Sequence, residues 1–190
     1  MPQRETYPVE IAGVRRELPL FQIKPGLRIA VLNILGDTEL VEAAADALAE
    51  KIRAAGLDFD LLVTAEAKSI PLIHALSVRL GKPYVVLRKV YKPYMGEAIS
   101  AETLSITTGK PQTLYLDEKD RELVKGKRVV LVDDVISTGS TLQGMRLVMD
   151  KAGAQVVGEA AIFTEGERAK WNDILALGHL PLFTDDGPQA

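Results

Sequence analysis

Cysteine is absent from this 190-residue chain, which excludes disulfides, thiolate nucleophiles and cysteine-based zinc sites. Histidine is nearly absent, and His74 with His179 cannot build a multi-histidine metal site. No apolar run approaches the ~20 residues that a membrane-crossing helix needs. The opening Met1-Pro2-Gln3-Arg4-Glu5-Thr6 lacks the apolar core of a secretory signal. A cytoplasmic location with no membrane partner is the expectation. No excess of one charge exists either: the formal net charge of −3 gives no global attraction to nucleic acid. What remains is the composition of a folded protein. Residues are 47% hydrophobic and 26% charged, enough to bury a substantial core in one domain over 1–190.

Residues 1–27 mix Pro8, Pro19 and Pro25 with Leu18, Leu20, Phe21 and Ile23, and read as a short N-terminal arm. The arm is too short to hold a separate DNA-binding domain. Beyond it, short apolar runs alternate with amphipathic stretches. Arg28 to Ile34 reads as a strand, and Asp37 caps a following helix. In that helix Leu40, Ala44, Leu48 and Ile52 fall four apart on one face, and Gly56 ends it. Asp60 to Thr64 reads as a buried strand, Lys68 to Leu80 as a largely buried helix stopped by Gly81, and Tyr84 to Arg88 as a third strand. Val129 to Val132 is an unbroken aliphatic run, as in a strand covered on both faces. Leu142, Met145, Val148 and Met149 mark a helix face, Gly153 its stop, and Val156 to Phe163 a further strand. Strands alternating with helices imply an α/β fold with a parallel sheet. Ligands of such sheets sit beyond the carboxyl ends of the strands.

The interval 91–112 breaks the alternation. It holds Lys92, Pro93, Tyr94, Gly96, Thr107, Thr108, Gly109, Lys110 and Pro111, with β segments expected at Glu97 to Ser105 and Thr113 to Asp117. A long polar excursion with aromatics in a compact domain reads as a lid. His74, on a buried-looking helix, reads as a core histidine, and Trp171 as packing for a late amphipathic segment.

The most informative stretch runs Val129-Val130-Leu131-Val132-Asp133-Asp134-Val135-Ile136-Ser137-Thr138-Gly139-Ser140-Thr141-Leu142. A buried strand ends in two acids, a loop of small hydroxyl residues follows, and a helix begins. Backbone N–H groups at a helix start are unpaired and carry partial positive charge, so they can ligate a phosphate. Gly139 lets the backbone approach the ligand, and Ser137, Thr138, Ser140 and Thr141 add hydroxyl donors. The loop has no lysine, which separates it from a Walker-type loop. Asp133 and Asp134 would repel a polyphosphate there but accept hydrogen bonds from vicinal sugar hydroxyls. A sugar monophosphate fits both features.

This stretch resembles the PRPP-binding signature of type I phosphoribosyltransferases. Further regions resemble the family in order along the chain. Ala65-Glu66-Ala67-Lys68-Ser69-Ile70 corresponds to the turn that cradles pyrophosphate, with Lys68 where adenine-specific members usually carry arginine. Arg88-Lys89-Val90-Tyr91-Lys92 resembles the Arg-Lys-x-x-Lys run of adenine phosphoribosyltransferases. The likeness spans roughly 28 to 167. It implies a central, mostly parallel sheet flanked by helices, a small N-terminal hood and a mobile lid.

The resemblance also implies the chemistry. A base nitrogen attacks C1 of the ribosyl group of PRPP and pyrophosphate leaves. Ala67, Lys68, Ser69, Arg88, Lys89 and Lys92 would hold the pyrophosphate, while Ser137 to Thr141 hold the 5-phosphate. Asp133, Asp134 and Lys92 are the catalytic candidates. Magnesium is the implied cofactor, with no certain protein ligand and with Asp133 and Asp134 near it through water. Leu32, Val135 and Phe163 are candidates for the base pocket, as is Phe21; Tyr94, Glu97 and Lys110 are lid candidates. Adenine is the favoured base, with hypoxanthine, guanine or xanthine as further options, and a homodimer is the implied assembly. The alternative from another class is a PRPP-sensing, non-catalytic regulator.

Overall fold

The computed structural model describes residues 5–104 and 111–189. The arm folds as a hairpin of β1 (Thr6–Ile11) and β2 (Val14–Lys24), closed by Ala12 and Gly13, both at positive φ. Two such residues between paired strands match the twist of a tight hairpin. β3 (Leu27–Ala30) pairs antiparallel with β2. The expected strand Arg28 to Ile34 is therefore shorter and belongs to this hood sheet, not to the central sheet. Its backbone leaves the sheet at Val31 and runs toward the next helix.

That helix is α1 (Thr38–Ala54), and Asp37 caps it as expected by accepting a hydrogen bond from the Leu40 N–H at 3.2 Å. Leu40, Ala44, Leu48 and Ile52 are buried along one face. Arg16 of the hood grips the same cap, with Nε 2.7 Å from Asp37 Oδ2 and Nη2 2.8 Å from Glu39. The Arg16 hydrogen bond holds the Asp37 carboxyl below the usual carboxylate range. β4 (Leu61–Ala65) is buried throughout, and α2 (Ile70–Leu80) follows it. The helix starts two residues later than expected, after the turn at Ala67 and Lys68, and ends at Gly81 with φ of 62°. His74 on this helix is exposed, not a core residue, and its ring meets Tyr84 edge-on at 5.9 Å. β5 (Tyr84–Leu87) comes next.

The described parts of the interval 91–112 hold a short 3-10 turn at Pro93–Met95 and β6 (Ile99–Leu104), which pairs antiparallel with β7 (Pro111–Leu116). Ala101, Leu114 and Leu116 of this hairpin are buried. A short α3 (Arg121–Val124) leads into β8 (Arg128–Ile136), then α4 (Ser140–Lys151), β9 (Gln155–Glu165) and β10 (Leu175–Leu180). The chain end returns as β11 (Leu182–Thr184) and β12 (Gly187–Gln189), and β11 pairs with β3 to complete the hood.

The central sheet is parallel, in the order β10-β9-β8-β4-β5. β8 explains the two cores. Val130 and Val132 pack with α1 and α2, whereas Val129 and Leu131 pack with α4 and the β6–β7 hairpin. Period-two alternation sends neighbours to opposite faces, and both faces are covered. β8 also continues through Asp133 and Asp134 to Ile136, because β9 keeps pairing with it as far as Thr164. The acids thus lie among the last residues of the strand, as the sequence implied, and the strand runs on to Ile136.

Two predictions concern stability. Asp37→Ala removes the cap and the Arg16 contact, and chemical denaturation should show a loss of ~1–2 kcal/mol. Glu165 is only 6% exposed at the end of β9, and burial raises its carboxyl to about 7 from 4.5. The folded chain then holds that proton more tightly than the unfolded chain, so this glutamate costs stability increasingly as pH rises from about 4.5 to about 7. Glu165→Gln should melt above wild type at pH 8, with a gap that narrows toward pH 4.5. A gap independent of pH would sink this reading.

Candidate active site

Two turns at the carboxyl ends of adjacent strands build the site. The first joins β4 to α2. Thr64 Oγ1 donates to the Val132 carbonyl at 2.6 Å and lies 2.7 Å from Ser69 Oγ, which in turn reaches the Ala65 carbonyl at 3.0 Å. Thr64 and Ser69 are buried, and these contacts lock the turn to β8. The Ser69 hydroxyl is therefore engaged inside the protein, while Ala67 and Lys68 stand exposed at the surface of the turn.

The second turn joins β8 to α4 and carries the acid pair at its base. Asp134 is 6% exposed. Lys68 Nζ stands 3.1 Å from Asp134 Oδ2, an ion pair by distance without hydrogen-bond geometry; that buried oxygen has no hydrogen-bonding partner among the described residues. Lys68 Nζ also donates to the Leu32 carbonyl at 3.1 Å. Asp133 Oδ1 accepts from the Asp134 N–H at 2.8 Å. Burial and then the charge of Asp134 push the Asp133 carboxyl well above the usual carboxylate range, and Lys89 opposes them. Lys89, Ala67, Lys68, Ser69, Asp133, Asp134, Val135 and Thr141 line one cavity of about 230 Å³.

A smaller recess at the second turn is lined by Ser137, Thr138, Gly139, Ser140 and Thr141, and it shares Asp133, Val135 and Thr141 with the larger cavity. Ser137 and Thr138 are exposed, while Ser140 is buried. Thr138 Oγ1 accepts from the Ser140 N–H at 3.3 Å and lies 3.1 Å from its hydroxyl. Gly139 begins α4 at φ of 81°. A Cβ there would stand 2.9 Å from Trp171 Cη2, so a side chain is excluded both by conformation and by the indole.

Other expected residues are distributed around this cleft. Arg88 turns away into a pair with Glu66, at 2.6 Å, and that contact raises its pKa. Glu66 Oε1 accepts from the Lys89 N–H at 2.7 Å. Burial would raise the Glu66 carboxyl, but these contacts outweigh it and hold the group below its ordinary value. Lys92 is exposed at the start of the Pro93–Met95 turn, outside the cavity lining. Leu32 and Phe163 are buried core residues, and the Phe163 ring fills the space over Gly178, where a Cβ would come within 2.6 Å. Val135 is the one base candidate in the cavity lining. Phe21 lies on β2 of the hood, partly exposed. Tyr94 and Glu97 are exposed, and Lys110 lies outside the described residues. No group of three or more metal-ligating side chains occurs among the described residues.

Sequence reasoning missed Glu66 and Trp171. The signal for Glu66 was an acid at the end of β4 facing the cations at the end of β5, since Ala65 pairs with Leu87. Nothing along the chain links Trp171 to Gly139.

Comparison with known proteins bears on this arrangement. An adenine phosphoribosyltransferase of Thermosipho africanus is 35% identical over 144 residues, 75% of this chain and 79% of that protein. A hypoxanthine/guanine phosphoribosyltransferase of Ferroglobus placidus is 36% identical over 134 residues, 70% of this chain and 66% of that protein. The adenine phosphoribosyltransferase of Saccharomyces cerevisiae, solved with an iminoaltritol bisphosphate and adenine, superposes with a TM-score of 0.69 at 22% identity, over 84% of this chain and 93% of that one. That of Thermoanaerobacter pseudethanolicus gives 0.64 at 24% identity, over 85% and 95%. These likenesses establish the type I phosphoribosyltransferase fold. The family described as phosphoribosyl transferase domain matches residues 31–178, from the end of the hood strand into β10. That span takes in both turns and the acid pair, and this chain belongs to the phosphoribosyltransferase family.

Proposed function

We propose that the chain is a purine phosphoribosyltransferase that moves the ribosyl 5-phosphate of PRPP onto adenine and releases pyrophosphate. The observation that carries this reading is the continuity of the cleft. Asp133, Val135 and Thr141 border both the turn at Lys68 and the loop at Gly139, so one elongated ligand can touch both. Adenine leads because the fold neighbours and the Thermosipho africanus relative bear that name, with hypoxanthine and guanine next because the Ferroglobus placidus relative bears theirs. Salvage in the cytoplasm by a homodimer completes the proposal. In it residues 1–190 act as one catalytic domain, with 1–27 contributing to a hood and 91–112 to a lid.

The residues divide the work by chemistry. Backbone N–H groups at the start of α4, with the hydroxyls of Ser137, Thr138 and Thr141, bind the 5-phosphate. Asp133 and Asp134 accept hydrogen bonds from the vicinal ribose hydroxyls and favour positive charge developing on the sugar. Lys68 carries three N–H donors. One is used by the Leu32 carbonyl and the ammonium charge stands beside Asp134 without a hydrogen bond to it, so donors remain for a pyrophosphate oxygen. Lys89 and Lys92 supply further positive charge as the leaving group gains negative charge, with Arg88 in reserve through its pair with Glu66. Closure of 91–112 over the cleft excludes water, the competing nucleophile.

Magnesium fits the donor set. Two adjacent carboxylates, with no third ligating side chain grouped beside them among the described residues, suit a hard cation that keeps water and substrate oxygens as its other ligands. Bound with PRPP, it would neutralise charge on the departing pyrophosphate.

The direct test is to incubate the protein with PRPP, magnesium and each purine base, then identify the nucleotide and pyrophosphate formed. Adenosine monophosphate is expected. PRPP binding without product from any base would transfer the chain to the sensing class. Asp134→Asn should lower turnover by ~100-fold or more while melting within a few degrees of wild type; near-normal turnover removes the acid pair from the chemistry. Gly139→Val should weaken PRPP binding in a titration, and unchanged affinity would contradict the phosphate-loop assignment.

A further inference from the structure

We infer that Trp171 is a positioning residue for the 5-phosphate loop, an inference that rests on the proposed phosphate-binding role of that loop. The indole lies against Gly139 on the side where a side chain would stand, with Cη2 at 2.9 Å and Cζ3 at 3.4 Å from the Cβ position. It is not free to swing away. Its Nε1–H donates to the Glu165 carbonyl at the end of β9, at 2.9 Å, and its own carbonyl accepts from Ile174 N–H at 3.0 Å. Trp171 ends the 3-10 helix Arg168–Trp171 and packs on the same core as α4. One flat side chain therefore links the end of β9 to the last residue of the loop between β8 and α4.

Among the described residues, the loop's side-chain hydrogen bonds are few and long, and its Gly139 carbonyl is held by the Gln143 N–H of α4 at 2.9 Å. Thr138 Oγ1 meets Ser140 N at 3.3 Å and Ser140 Oγ at 3.1 Å. Phosphate binding by a helix start depends on several N–H groups pointing at one place, so the loop's shape determines affinity. The indole supplies that shape from outside. It also accounts for glycine at 139 beyond the positive φ: even alanine would meet a ring that its hydrogen bond holds still. Trp171 touches no reacting atom in this arrangement; it acts through Gly139.

Trp171 is the only tryptophan in the chain, so tryptophan emission reports on the surroundings of this indole, of which Gly139 is one part. Titration of wild-type protein with ribose 5-phosphate should change tryptophan emission saturably, with a Kd equal to that from calorimetry. Trp171→Ala should weaken ribose 5-phosphate binding by ~10- to 100-fold in calorimetry and raise KM for PRPP similarly, leaving KM for the base nearly unchanged. Trp171→Phe, which keeps a ring over Gly139, should recover most of the loss. Trp171→Leu, which still covers the core, should not, and it serves where the alanine variant fails to fold. Equal ribose 5-phosphate affinity in wild type and in a folded leucine or alanine variant would overturn the inference. Failure of wild type itself to bind ribose 5-phosphate would overturn the loop assignment and this inference with it. Binding with no transfer to any base would leave this inference standing and remove the transferase reading alone.

Discussion

A carboxylate buried at the end of a central strand requires a cation close by, and Lys68 meets that requirement for Asp134. The pairing ties together three parts of the molecule that are distant in sequence. Asp134 belongs to β8, Lys68 to the turn after β4, and the Leu32 carbonyl, which Lys68 also grips, to the segment between hood and core. Thr64 reinforces the link by bonding the Val132 carbonyl one strand over. The acid pair is thereby set at a fixed distance from the first turn, and the cleft between them takes its form.

The asymmetry of the charged groups follows from the same constraint. Two neighbouring carboxylates repel each other, and among the described residues only Asp134 has a lysine in an ion pair with it. Asp133 is the one pushed toward protonation, and the charge of Lys89 opposes that push. Lys89 is available because Glu66 takes Arg88 and holds the Lys89 backbone. A cationic ligand complex would find two acids oriented toward it, whereas an anionic group would find the exposed N–H groups of the second turn. Parallel strands put all of these at one edge of the sheet, where their carboxyl ends gather.

Much of this was legible in the sequence because it depends on local rules. The alternation of elements, the Asp37 cap, the buried face of α1 and the acid–hydroxyl–glycine stretch all follow from residues within a turn or two of one another. The long-range features were not. The strand read over Arg28 to Ile34 has the right apolar residues, but pairing with β2 and β11 decides which sheet owns it, and β11 arrives from the far end of the chain. Burial was inferred for His74 from its helix, yet which face meets solvent depends on α1, packed alongside. Phe163 and Leu32 carried no mark that separates a core residue from a pocket residue, and both pack in the core. Trp171 beside Gly139 is a contact between two connections, each set by different strands.

The most direct measurement is a double-mutant cycle on PRPP affinity with Lys68→Met, Asp134→Asn and the pair combined, read by calorimetry with magnesium present. If Lys68 acts largely by holding Asp134, the double variant should lose little more than the worse single variant, a coupling of at least ~1 kcal/mol. Losses that simply add would mean that the two residues work independently, and that the ion pair does not organise the site.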